Sequence, residues 1–225
     1  MTKKNIKKEK EEVNINSEAF RNKQLRNITL IMGVVILVTI IAYLVTNNLS
    51  NPSYRGLQFT KNTQGGVDFY IVKVPAIDPL TGKTQGYYDM ILRTNPKELD
   101  KIEYDGRTKI LRNVIMSFDR AIEGCEDNVI AVANMARFLT DAGFQVKGAS
   151  HEYEYAQETN MTYATCADAE NSTVIVLQKA LNGETTSVRE TVNNCYIVNI
   201  AECQTLPALE RMMTEIAIEA SKQGQ

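Results

Sequence analysis

A chain of 225 residues with 44% apolar and 23% charged side chains has ordinary globular composition, which excludes collagenous, coiled-coil and wholly disordered readings. The net charge of −2 hides a division, because residues 1–26 hold eight Lys/Arg against four Glu and leave 17 basic and 23 acidic residues for the rest. The tail is cationic and everything after it acidic, so no nucleic-acid partner is expected.

Between Arg26 and Arg55 there is no Asp, Glu, Lys or Arg, and residues 28–46 read ITLIMGVVILVTIIAYLVT. At about 1.5 Å rise per residue this run reaches roughly 28 Å, close to the hydrocarbon thickness of a bilayer. Twelve of its residues are Leu, Ile or Val. Insertion is therefore expected, with a transmembrane helix over 27–46. A buried core helix would carry a polar stripe. A cleavable signal peptide would have a shorter apolar run ending in a small-residue site, and no A-x-A follows. Eight cations precede the span and only Arg55 and Lys61 follow it within the same distance, which keeps residues 1–26 in the cytoplasm and sends the rest outside. The lipid bilayer is thus the first expected partner. KKNIKKEK is expected to serve as a topology signal, and Thr29 with Gly33 is too small a motif to establish helix pairing.

Residues 47–66 are polar and punctuated by Gly and Pro, as a flexible tether would be, and place the folded domain at 67–225. VDFYIVKV (67–74) and YYDMIL (87–92) flank a turn containing Asp78, Pro79 and Gly82, the pattern of a hairpin. A helical turn is expected at 96–101. Residues 109–118 read as a strand, and apolar positions 129, 132, 133, 136 and 139 predict a helix over 127–142. Gly143 with Phe144 behind it is a Schellman-type stop, and FQVKG (144–148) resumes as a strand, so a right-handed parallel βαβ unit follows.

TVIVLQ (173–178) is continuously apolar, as in a strand covered on both faces. Asn182-Gly183 predicts a hairpin returning antiparallel through 185–190, and Asn193-Asn194 leads into CYIVNIA (195–201). A last helix over 207–221 places Leu209, Met212, Met213, Ile216 and Ala220 on one face, with Thr205 or Gln204 near its cap. The fold class expected is α/β, an extracytoplasmic sandwich of helices on a mixed sheet.

The segments LRTNPKEL, SFD before the first helix of the domain, and TVIVLQKA leading to NNCYIVNIA resemble uncharacterised, single-pass, membrane-anchored envelope proteins of archaea. The resemblance covers about the last 130 residues. It implies an envelope location and no site residues.

All four cysteines lie beyond the apolar run, and an even set in an outward-facing domain predicts disulfides. Zinc is the rival, but there is no C-x-x-C and only one histidine, His151. Cys195 and Cys203 bracket a strand that holds them some 26 Å apart, beyond bonding range, which also removes Cys125 with Cys166. If a hairpin over 173–190 brings the chain back to the edge where it began, Cys166 and Cys195 both precede strands there. Cys125 and Cys203 both follow strands and precede helices. The expected pairs are Cys166 with Cys195 and Cys125 with Cys203.

No Walker, dinucleotide-binding, HExxH or G-x-S-x-G pattern occurs, so no cofactor and no metal is expected. The sharpest catalytic set lies at strand ends: Ser117, Asp119 and Glu123 after one strand, His151 after the next and Glu202 after a third, with His151 as base and Ser117 as nucleophile. Residues 150–170 carry five carboxylates and no Lys or Arg. They read as a solvated acidic loop without calcium-loop spacing, whose Tyr153, Tyr155 and Tyr163 form the best candidate surface for an envelope protein partner. Asn48, Asn160 and Asn171 begin N-x-[ST] sequons. The leading expectation is a membrane-anchored binding or structural module of the envelope. A tethered hydrolase and an accessory subunit of an envelope complex are the alternatives.

Overall fold

In a computed structural model of the protein, the described residues are 26–27, 29–45, 51–77 and 83–223. The basic tail up to residue 25, Asn48 and the expected turn at Asp78, Pro79 and Gly82 lie outside them. The chain divides into two units, Met1–Ser50 and Asn51–Gln225.

In the first unit, residues 29–45 form a helix, α1, whose side chains are all exposed. Leu30 is 62% exposed and Tyr43 69%. No helix among the described residues is both long and apolar enough to cross a membrane. The expected span, 27–46, includes residues 28 and 46, which lie outside the described residues.

The second unit begins earlier than its Gly/Pro punctuation suggests. β1 (Ser53–Tyr54) and β2 (Leu57–Gln58) form a small antiparallel pair around Gly56, and β3 (Thr60–Gln64) follows. Tyr54, Leu57 and Phe59 are buried, so residues 51–66 are part of the domain and no flexible tether exists there. Three apolar side chains among polar neighbours are enough to fasten such a segment when each finds the core. β3, β4 (Val67–Ile77) and β5 (Thr84–Leu92) make an antiparallel three-stranded sheet, in which the expected hairpin pairs Tyr70 with Leu92 through Ile77 with Thr84.

After a 3-10 turn at Pro96–Lys101, capped by the Asn95 side chain, come β6 (Glu103–Asp105), β7 (Asn113–Phe118), α2 (Asn128–Asp141) and β8 (Gln145–Ser150). Gly143 has φ +93, and the amides of Gly143 and Phe144 donate to the carbonyls of Thr140 and Leu139, closing the Schellman stop. β7 and β8 are parallel neighbours, as the βαβ reading requires. Residues 150–170 are no solvated loop: they fold as α3 (Tyr153–Thr159), β9 (Thr162–Tyr163) and a 3-10 turn at Cys166–Asp168 with a capping box from Thr165.

β10 (Thr173–Lys179), β11 (Ser187–Val192), β12 (Cys195–Ile200) and α4 (Thr205–Gln223) complete the unit. The large sheet is mixed, in the order β6-β11-β12-β10-β7-β8-β9, with β12, β10, β7, β8 and β9 mutually parallel. The expected β10–β11 hairpin does not form, because both edges of β10 are taken by the parallel strands β7 and β12. Gly183 turns a connection that carries the chain past β12's place. The hairpin is instead β11–β12, closed by Asn193-Asn194 with Asn194 at φ +66.

α2 and α4 pack on each other and form one core with the inner faces of both sheets. Met116, Ile175, Leu177 and Val198 reach it from the large sheet and Val72, Val74, Met90 and Leu92 from the small one. Covered by both sheets, α4 buries more than one stripe. Glu210 accepts from the amides of Arg93 and Thr94 at 2.6 and 2.8 Å. Arg211 pairs with Glu215 at 2.9 Å and Asp100 at 3.3 Å, beside the hydroxyl of Tyr54. Glu210 and the Nη atoms of Arg211 are thus partnered, whereas Arg211 Nε and the Thr205 hydroxyl are buried without a hydrogen-bond partner among the described residues. The other face of the large sheet holds a second, smaller cluster of Val174, Val176, Ala169 and Cys195.

Candidate functional site

Parallel strands deliver their following residues to one end of the sheet, and the strand-end set is found there. Asp119 follows β7. Its carboxylate accepts from the amide of Ala121 at 2.7 Å, capping a 3-10 turn at Arg120–Ile122, and from the amide of Lys179 at the end of β10 at 3.5 Å. Ser150 ends β8, and its hydroxyl donates to the Phe118 carbonyl at 3.0 Å and accepts from the Glu152 amide at 3.1 Å. Glu152 in turn accepts from the Arg120 amide at 2.8 Å. Asp119, His151 and Glu152 are therefore drawn together across β7 and β8. Burial pushes the Asp119 carboxyl up, but the Ala121 amide, the shared hydrogen bond with Glu152, the Lys179 amide and the charge of His151 outweigh it and hold it below the ordinary value. The Nδ1 atom of His151 is buried with no hydrogen-bond partner among the described residues.

The other members of the expected set are elsewhere. Ser117 is fully buried on β7, and its hydroxyl donates to the Ala164 carbonyl at 2.7 Å. A hydroxyl so placed has neither access nor a base, which corrects its assignment as a nucleophile. Glu202 follows β12, two strand spacings or roughly 10 Å from β7. It is exposed at φ +48, beside Cys203 at φ +56. Glu123 accepts the hydroxyl of Tyr155, whose ring lies 5.6 Å from the Arg120 guanidinium, and that bond raises the Tyr155 pKa above its ordinary value.

Tyr155 thus belongs to a groove of about 520 Å³ at this sheet end, between Phe118, Asp119 and the first turn of α2. Tyr153 and Tyr163 point elsewhere, packing edge to face with centroids 5.6 Å apart, 62% and 47% exposed. The three tyrosines expected to act together form two separate features. Residues Glu152–Glu158, in helix formers with no Gly or Pro, were the available signal for α3 and for Glu152 beside Asp119.

Both expected disulfides are present, Cys125–Cys203 with Cα atoms 5.2 Å apart and Cys166–Cys195 at 5.4 Å. Their physical basis differs from the expected hairpin. β10 and β12 are adjacent and parallel, so both begin at the same sheet edge, where Cys195 is buried. Cys125 and Cys203 join the approaches to α2 and α4. Among the described residues no group of three His, Cys, Asp or Glu is placed to hold a metal ion. Asn160 caps α3 at φ +55 and is exposed, as is Asn171.

No family model, no curated protein and no solved structure matches this sequence.

Proposed function

We propose that this chain is a single-pass membrane protein whose disulfide-bonded domain lies outside the cell and binds a protein partner of the envelope without catalysing a reaction. The anchor rests on the uncharged run from 28 to 46, on the uniformly exposed apolar surface of residues 29–45, and on the cations before it. Two disulfides after that run suit an oxidising compartment, and an envelope location is what the resemblance to archaeal envelope proteins implies.

The observation that carries the binding role is the Tyr153–Tyr163 pair, two exposed rings held against each other by α3 and β9. Rigid, amphipathic rings at a surface are the side chains that anchor interfaces at low entropic cost. A tethered hydrolase fits less well, because Ser117 is sequestered and Asp119 is occupied in capping and strand-end hydrogen bonds.

Two measurements test the reading. Protease added to intact cells should remove the domain and leave residues 1–26 protected; protection of the C-terminus would overturn the orientation. Replacing Tyr153 and Tyr163 by Ser should weaken site-specific crosslinking to the native partner by roughly thirtyfold in affinity, as loss of an interface anchor of about 2 kcal/mol implies. Unchanged crosslinking, or lost activity in His151→Ala with its unfolding midpoint unmoved, would put the catalytic reading first.

A further inference from the structure

A strand at a sheet edge presents unpaired amides and carbonyls, and proteins ordinarily blunt such edges by making them short or charged. The large sheet ends on β6, three residues, and β9, two residues. The small sheet ends on β3, five polar or basic residues, and on β5, nine residues. β5 contains no Pro, Lys or Arg, and its one charge is Asp89. Gln85 near its start has a partner of its own, and the stretch 86–92 is, among the described residues, the long edge left undefended.

Beside that edge lies a groove of about 300 Å³, formed by Met90 and Ile91 of β5, Ile130 and Phe138 of α2 and Met213 of α4. An edge strand facing a helix across an apolar groove is the geometry of strand addition, in which main-chain bonds supply affinity and the groove takes alternate side chains. The volume is small for the row of anchors that a docked helix uses. Around the rim Arg93 pairs with Asp127 and Arg137 with Asp141, whereas Asp89, opposite Lys73 in the β4–β5 register, makes no ion pair with it or with any other described residue. A second copy of β5 would bring another Asp89 close to the first near the middle of the strand, an unfavourable like-charge approach.

We infer that the β5 edge receives an extended peptide strand of a partner protein, with an apolar side chain in the groove against Phe138 and Met213 and a Lys or Arg against Asp89. The inference shares with the proposed function only the premise that the domain binds a protein, and it uses a different surface from Tyr153 and Tyr163.

The test uses the full chain in detergent and three synthetic nine-residue peptides of alternating Thr and Val: one with a central Lys, one with a central Glu, and the Lys peptide N-methylated at alternate amides. Affinity is read by fluorescence anisotropy and the site by hydrogen exchange of the β5 amides. The Lys peptide should bind, slow exchange over residues 86–92 and exceed the Glu peptide roughly three- to fivefold. Asp89→Lys, at an exposed position, should invert that order, and the N-methylated peptide should fail to bind. The Tyr153→Ser, Tyr163→Ser variant should bind all three as the parent does, which separates this inference from the tyrosine reading. Equal binding of the N-methylated peptide, or unchanged β5 exchange with both unmodified peptides, would overturn strand addition. Protection of β5 that grows with protein concentration in the absence of peptide would assign the edge to a second copy and overturn the partner strand.

Discussion

Replacing Glu210 by Gln probes how a helix covered by two sheets tolerates a carboxylate. The wild-type side chain spends one oxygen on each of two main-chain donors, the amides of Arg93 and Thr94 that follow β5. Glutamine keeps the shape but offers one oxygen, so one buried amide faces an NH2 group and goes unpaired. Such an orphan costs about 1–3 kcal/mol, and the surviving bond loses its charge assistance, about 1 kcal/mol more. Protonated Glu210 leaves the same amide unpaired, and where burial governs the carboxylate the relief of its desolvation exceeds the lost bond, so Glu210→Gln should match the parent in acid and be the more stable of the two once the parent's side chain ionises.

The pH dependence gives the sharper discrimination. Burial is the largest influence on Glu210 and raises its pKa above 4.5 against the opposing amides of Arg93 and Thr94 and the charge of Arg93. A folded-state pKa above the unfolded value means that the folded state binds more protons in the intervening window. The contribution of Glu210 is then complete below the ordinary glutamate pKa and declines as pH rises through the raised one. Urea unfolding of the full chain in detergent should show the parent close to Glu210→Gln at pH 4 and less stable than it at pH 8. A parent that is more stable than the variant at pH 8 would mean that the two amides, not burial, govern this carboxylate, and the reasoning would fail.

Two further outcomes concern the disulfides and Ser117. Removing Cys125–Cys203, which closes a separation of 78 residues, as a double Ala variant should cost about 4.5 kcal/mol by loop entropy, against about 3.6 kcal/mol for Cys166–Cys195 at 29 residues; urea midpoints measure both, and a larger loss at the shorter loop would show that burial of Cys195 outweighs chain entropy. Ser117→Ala should lower stability by about 1 kcal/mol through the lost bond to Ala164 and leave partner crosslinking intact, whereas lost function at unchanged stability would restore Ser117 to a chemical role.

Local rules carried far along this chain. The β4–β5 hairpin, α2 with its Gly143 stop and the parallel β7–β8 pair could all be read from residue patterns, because each depends on side-chain period or backbone freedom over a short stretch of chain. The cysteine pairing survived a wrong hairpin because it needed only that β10 and β12 begin at one edge, which parallel neighbours satisfy as well.

The rest was decided by packing between distant elements. Asn182-Gly183 turns the chain in either topology, and only competition for the edges of β10 made β7 and β12 its neighbours. Tyr54, Leu57 and Phe59 become core only because α4 and the small sheet leave room for them, and Glu210 is tolerable only where the amides of Arg93 and Thr94 meet it. At the candidate site, the sequence placed Asp119 and His151 at strand ends, and alternation along β7 turned Ser117 inward under Ala164. A strand pattern fixes which residues share a face, and the partner that covers that face belongs to another part of the chain.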